Sequence, residues 1–570
     1  MSNLDWRSRR VTRRALMGLL GGVGLGLVAK GLTAPEAQVI PNLQELVAAF
    51  RGEPTDSVPV AGAPYARVAV GYLPAATSYS SDFPYDPSER YPEYPHNYPI
   101  SSRSNEGYHL LRTALQAWNP DGFGEPAWNP LSNSIQPGDT VAIKPNLVWE
   151  SGWSETRLGI ATTHPSMLRA VVDYSFKACG PSGRILICEG TAVASQWSQL
   201  VRIARLGELV RHLRFELGVP VELVNLNDTP REQALLVQLR ERSALLPLAN
   251  RTLFDLHNQP DWHTRNLGLG SYYIAPQPLQ ADVLISLAKM KVHRATGVTM
   301  AMKNLFGLIP SWDGPYGDDY LKDVPHYTDK EATGGSRTLY LENDTTWRTT
   351  VDLSRLTLYA DDRGRMQRDR QRRFLAIVDG LLAAGKQMFD PRPTPLGALA
   401  IGDEPVSVDA VASRVMGYDP RKVRSTSWAL DTTDPDLGPA SPSRIQVTVS
   451  GADGLHQVND GSRIVPPDES AYSWRGHLEA VDFSPPELLL ARVSNGQVQA
   501  IIRDSSGVAF ARLVGEIGGR PFSQGMLLLD GTTEEGEWNL PLPAGAPQRG
   551  SLTLEVGDHL FNVHRETINW

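Results

Sequence analysis

Asp282-Val-Leu-Ile-Ser-Leu-Ala-Lys-Met-Lys-Val-His293 is apolar at almost every position through Ala288 and then turns cationic. A strand with one wet face alternates apolar and polar residues, whereas a continuous apolar run suits a strand covered on both faces. Comparable runs occur at Arg67–Tyr72, Thr140–Val148, Arg184–Cys188, Val221–Val224, Phe374–Val378 and Ala398–Ile401. Stretches with helical spacing at 165–178, 202–217, 296–306 and 405–416 separate them. This alternation predicts an α/β fold, with a mixed, mostly parallel central sheet and helices on both faces.

Outward from that layer the composition changes at both ends. From about residue 484 short alternating strands take over, at Glu487–Val493, Val498–Asp504, Val508–Val514, Met526–Asp530, Gly536–Leu540 and Leu552–Val556. With the turns Asp504-Ser-Ser-Gly507 and Leu529-Asp-Gly531 between them, they predict a small C-terminal all-β sandwich of immunoglobulin-like type. The expected organisation is a signal segment over 1–34, a linker over 35–64 with one short helix near Asn42 to Arg51, an α/β domain over 65–425, a connector over 426–483 and the sandwich over 484–570. Tyr108 to Trp118 has helical spacing, and Ser78 to Ser104, rich in Tyr, Pro, Ser and Asp, reads as a long surface loop.

The amino terminus is a targeting segment. Arg7, Arg9, Arg10, Arg13 and Arg14 precede an uncharged, Gly-rich stretch from Ala15 to Ala29, and Lys30 follows. Thr12-Arg13-Arg14-Ala15-Leu16-Met17 is similar to the twin-arginine export motif, so the twin-arginine export machinery is an expected partner and the periplasm or cell surface the expected location. The apolar stretch is short beside the ~20 residues of a stable membrane span. Ala34 is followed by Pro35, a poor cleavage junction, and an uncleaved signal would act as an amino-terminal anchor.

A net charge of -8 argues against nucleic acid as a partner, because phosphate neutralisation calls for a basic stripe. Cys179 and Cys188, the two cysteines, form no Cys-x-x-Cys pair, so no iron–sulfur cluster is expected. They read as small buried residues, with a single disulfide as the alternative. No Gly-x-Ser-x-Gly elbow supports serine hydrolase chemistry. Gly380-Leu-Leu-Ala-Ala-Gly-Lys-Gln387 approaches a phosphate-binding loop, but Gln387 stands where a Ser or Thr would hold magnesium.

Three segments place polar residues where a buried strand yields to a turn, the usual ligand position in open α/β sheets. In Val141-Ala-Ile-Lys144-Pro145-Asn146, a lysine inside an apolar strand needs an acid or an anion. Lys289, Lys291 and His293 alternate, so in an extended chain they share one side and repel unless an anion lies among them. Asp379 ends the run Phe374 to Val378, and Asp409 sits one turn into a helix opened by Pro405. Both carboxylates are placed to meet a lysine or a metal, or to cap a helix or turn.

Lys144-Pro-Asn146, Thr162-Thr-His164-Pro165, Lys289-x-Lys291-x-His293, Lys303-Asn304-Leu-Phe-Gly307, Val378-Asp-Gly380 and Val408-Asp-Ala-Val-Ala412 follow one another in an order that resembles the domain of unknown function 362 family, over roughly 65 to 420. The resemblance implies an α/β domain and, in some relatives, a fused ferredoxin-like module for which this chain lacks the cysteines. Where relatives have Gly-Asp at one strand end, this chain has Cys188-Glu189, keeping the acid and losing the glycine.

The expected site therefore joins Lys289, Lys291, His293, Asp379 and Asp409 as catalytic candidates with Lys144, Asn146, His164, Lys303 and Asn304 as ligand-binding candidates, around a small anionic ligand such as a carboxylate or phosphate. The anion is a substrate or a cofactor whose identity the sequence leaves open, and no metal ligand set is assigned; Asp379 and Asp409 would serve as general base or as ligands of a hard cation such as magnesium. The competing class is a non-catalytic exported binding or redox-accessory protein that docks through its C-terminal sandwich.

Overall fold

A computed structural model describes residues 66–148, 159–192, 196–245, 270–293, 296–312, 322, 345–384, 393–431, 437–439, 442–451, 454–457, 484–542, 546–547 and 549–570. The expected signal and the linker with its expected short helix lie outside these residues, as do His257 and His263, which flank a Pro-Asp-Trp turn and read as loop histidines.

The chain begins with strand β1 (Ala66–Tyr72), helix α1 (Glu106–Trp118), β2 (Thr140–Pro145), α2 (Pro165–Cys179) and β3 (Arg184–Glu189). Then come α3 (Trp197–Ile203), α4 (Leu206–Phe215), β4 (Val221–Asn225) and the small pair β5 (Leu235–Gln238) and β6 (Ser271–Ile274). They are followed by α5 (Pro276–Gln280), β7 (Val283–His293), β8 (Gly297–Thr299), α6 (Ala301–Asn304), α7 (Thr346–Tyr359), β9 (Arg373–Ala384), β10 (Pro393–Gly402), α8 (Pro405–Val415) and α9 (Arg424–Asp431). Last in this part are β11 (Ile445–Gly451) and β12 (Gly454–Gln457).

One mixed sheet carries them in the order β12-β11-β1-β10-β9-β7-β2-β3-β4, with β8 folded back on β7. Strands β9, β7, β2, β3 and β4 are mutually parallel, and β10 runs antiparallel between β9 and β1. Along β7, Val283, Ile285 and Leu287 join the core under α1, α2 and α4, while Leu284, Ala288, Met290 and Val292 join the core under α6, α7 and α8. Both faces are thus covered, which is why the sequence of β7 is apolar without alternation.

Chain order fixes where a ligand crevice opens. After β2 the chain steps outward through β3 and β4, then returns to lay β7 and β9 on the other side of β2. Helices therefore diverge between β2 and β7, the topological switch point of the sheet.

The connector read over 426–483 is partly sheet: β11 pairs parallel with β1, and β12 closes that edge as a hairpin. The Ser78–Ser104 loop carries no helix or strand, but its tyrosines are not at the surface. Tyr85, Tyr91, Tyr94 and Tyr98 are buried against α1 and α2, because an aromatic ring with one polar tip packs as core when its hydroxyl finds a partner. No disulfide joins the two cysteines: both are free and buried, Cys179 in one core and Cys188 in the other, across the sheet. Strand β9 runs on through Ala384, so Gly380 lies within a strand where a phosphate-binding loop needs a turn.

The C-terminal domain is two four-stranded antiparallel sheets sharing one core. They comprise β13 (Glu487–Ser494), β14 (Gln497–Arg503), β15 (Val508–Ile517), β16 (Arg520–Gly525), β17 (Leu527–Gly531), β18 (Glu535–Pro541), β19 (Ser551–Asp558) and β20 (Val563–Asn569). Arg414 of α8 fastens the two domains through Leu560 O at 2.7 Å and Asn562 Oδ1 at 3.0 Å. Among the described residues no helix is long and apolar enough to cross a membrane.

Candidate functional site

The polar residues of β2, β3, β7 and β9 gather at the carboxyl edge, around the switch point. Lys144, in the last turn-bound stretch of β2, is 1 % exposed and spends its three N–H groups on Glu189 Oε1 at 2.6 Å, Pro145 O at 2.6 Å and Asn304 Oδ1 at 3.2 Å. Glu189 closes β3; its second oxygen accepts from Leu147 N at 2.7 Å. Burial pushes the Glu189 carboxyl up, and the Lys144 ammonium opposes that push. A Cβ on Gly307 would sit 2.2 Å from Glu189 Oε1, so the glycine lets the backbone close over this ion pair.

Asn146 and Asn304 carry the network across. Asn304 Oδ1 accepts from Asn146 Nδ2 at 3.0 Å, and its own amide donates to Lys144 O at 2.9 Å and Ser286 Oγ at 3.1 Å. Asn146 Oδ1 accepts in turn from Lys291 Nζ at 2.8 Å. The second acceptor of Lys291 is Ala161 O at 2.7 Å. An ammonium has three N–H groups, so among the described residues Lys291 has one to spare and no carboxylate bonded to it. Burial, with the Lys144 and Lys289 charges adding to it and Glu189 opposing, lowers its pKa to about 7.

Lys289 lies two residues earlier on the same side of β7. It pairs with Asp379 Oδ2 at 3.0 Å, directly across the parallel register Lys289↔Asp379, and neither side chain is exposed. Tyr79, from the segment after β1, donates to the same carboxylate oxygen at 2.6 Å and also meets Lys289 Nζ. Its ring stacks on His164 with centroids 4.5 Å apart. His164 caps α2, its Nδ1 accepting from Ser166 N at 3.1 Å. Burial and then the Lys289 charge hold this imidazole down to about 3.

The sequence-derived residues thus divide. Lys144, Asn146, Asn304 and Lys291 form one connected network, and Lys289, Asp379 and His164 a second beside it. Asp409 belongs to neither: its oxygens accept from Ala301 N at 2.8 Å and Met302 N at 3.1 Å, capping the short helix that carries Lys303 and Asn304. Its pKa is raised to about 7 by burial, with those two N–H groups pulling the other way. Lys303 turns its ammonium to the Phe306 ring, 3.7 Å from the centroid. His293, last in β7, is only partly buried and lies opposite Gly297.

Two members escaped sequence reasoning. Tyr79 sits in a stretch whose composition reads as loop, and only its place after β1 hints at the carboxyl edge. Glu189 stands where relatives have Gly-Asp and lacks that glycine, yet an acid ending a buried strand beside a buried lysine is the signal that finds it. Among the described residues no cluster of three or more His, Cys, Asp or Glu is arranged to hold a metal.

Residues 141–243 and 238–414 match the family model described as Domain of unknown function (DUF362). No curated protein and no solved structure matches the chain. The matched span runs from β2 to α8 and contains both buried lysine networks apart from Tyr79; over those residues this α/β domain matches the DUF362 family of domains.

Proposed function

We propose that the protein is exported by the twin-arginine route and that its DUF362 domain captures a small anion, carboxylate or phosphate, at the carboxyl edge between β2 and β7. The observation that carries this reading is Lys291, a fully enclosed amine with two neutral acceptors and an N–H left over. Its neighbours Lys144 and Lys289 are each matched by a carboxylate, so the two networks together hold three lysines against two carboxylates when Lys291 is protonated. An incoming anion balances the count, and the switch point is where such sheets admit one. The Arg13-Arg14 segment ahead of an uncharged Gly-rich stretch supports export.

The lowered pKa of Lys291 favours chemistry over plain capture, because an amine that gives and takes a proton near neutrality serves as general acid or base. The alternative, a non-catalytic exported protein docking through its sandwich, keeps the same ligand and loses that step.

Native mass spectrometry of the full chain, purified folded from an exporting host, tests the reading beside thermal melting in added inorganic phosphate or acetate. The wild type is expected to carry a small anionic species or to melt higher with one of the two anions, and Lys291→Met to lose both effects. A bare mass with no anion-dependent shift, or a shift that survives in Lys291→Met, overturns the assignment.

A further inference from the structure

The tyrosine-rich loop and α2 line a cavity of about 240 Å³, none of whose lining residues belongs to the lysine networks. Tyr94, Tyr98, Tyr108 and Tyr174 line it together with Phe176. Each hydroxyl already has a partner. Tyr98 donates to Leu217 O at 2.6 Å, Tyr108 to Asp173 at 3.1 Å and Tyr174 to Glu93 at 2.9 Å, while Tyr94 accepts from Arg169 at 3.0 Å. With the polar tips tied back, these residues offer the cavity ring surface.

That surface has a sign. An aromatic face is the negative side of the ring quadrupole, and a phenol that donates into a carboxylate gains electron density, which deepens it. Two of the four rings donate in this way, and Glu93 and Asp173 themselves lie in the wall. Lys177, also in the wall, turns its ammonium to the carbonyl oxygens of Glu93 at 3.1 Å and Pro126 at 3.2 Å. The same aromatic bed already seats one cation: the Arg112 guanidinium lies 4.4 Å from the Tyr91 centroid and 5.5 Å from that of Trp128.

We infer that this cavity is a binding site for a small methylated ammonium compound, held by cation–π contact with the tyrosine rings. Its volume, below the ~300–1,000 Å³ of sites for drug-sized molecules, suits a head of few carbons such as choline. A free amine with strong hydration is disfavoured there, since the walls supply few unspent acceptors to replace its water.

Isothermal titration calorimetry of the full chain tests this with choline and its uncharged isostere 3,3-dimethylbutan-1-ol. Choline is expected to bind saturably and at least about tenfold more tightly than the isostere, as a desolvated cation–π contact requires. Tyr98→Leu is expected to weaken choline about tenfold, and Tyr98→Phe, which keeps the ring, to leave it unchanged. Equal affinities for the two compounds, or no saturable binding of choline, overturn the proposal. Should Tyr98→Leu fail to fold, the wild-type pair of titrations and the Phe variant still decide.

Discussion

The carboxyl edge and the tyrosine cluster bury charge to a similar depth and reach opposite electrostatic outcomes. In the cluster, Arg169 meets Asp173 at 2.9 Å and Asp86 at 2.9 Å, and Arg112 meets Glu93 at 2.6 Å. Burial alone would lower both arginines, but the acids outweigh it and each guanidinium is pushed up. At the carboxyl edge Lys289 and Lys291 are lowered, because there burial outweighs the carboxylates within reach. Burial of charge alone therefore does not mark a site for an anion; an excess of buried cations over carboxylates does.

Breaking a matched pair should cost the same in either region. Glu189→Gln strands Lys144 and Arg169→Met strands Asp86 and Asp173, so each is expected to lose roughly 3–5 kcal/mol in chemical denaturation. A much smaller loss at Glu189 would mean that the edge tolerates unmatched charge and would dissolve the contrast. Gly307→Ala comes next. The added methyl presses on Glu189 and on Lys144 Cε, 2.3 Å away, and overpacking of this kind should cost about 1–3 kcal/mol.

Lys291→Met is the smallest change at neutral pH and the most informative, with an expected effect of about 1 kcal/mol in either direction. Its signature lies in pH. The amine falls from 10.5 in the unfolded chain to about 7 in the fold, so between those values the unfolded state holds a proton that the folded state has released. Stability rises with pH wherever the unfolded state binds more protons, here by up to about 1.4 kcal/mol per unit. Wild type should therefore gain on Lys291→Met from about pH 7 to pH 9 in paired denaturation curves. Asp409 works the other way and elsewhere: raised from 3.8 to about 7, it costs stability as pH climbs through that lower window. A flat difference curve above neutrality would show that Lys291 is compensated by a group outside the networks described.

Much of this was readable in the chain because burial on both faces writes itself as uninterrupted apolar sequence. Strands β2, β3, β7 and β9 fall where their runs lie, and the alternation of Lys289 with Lys291 correctly puts both on one side of β7. What failed did so for definable reasons. Helix α7 reads Thr-Trp-Arg-Thr-Thr-Val, rich in β-branched and aromatic residues, and is helical because its whole circumference is buried, not from propensity. Strands β16 and β20 carry exposed polar residues along sheet edges, where apolar periodicity is faint. The buried tyrosines were hidden by their own prolines and aspartates, while Asp409 takes the capping role its position also allowed, on a different helix from its own.

Strand β1 has a consequence for how the molecule is made. It lies between β10 and β11, in register from Val68↔Gly402 on one side and Ala66↔Ile445 on the other. The first of the described strands to leave the ribosome therefore waits for nearly the last of its domain, and contacts so distant in sequence are slow to form. Until then it is an unpaired apolar ribbon, open to any chain that offers an edge. The place of β1 in the sheet is completed only once the chain has been made through β11.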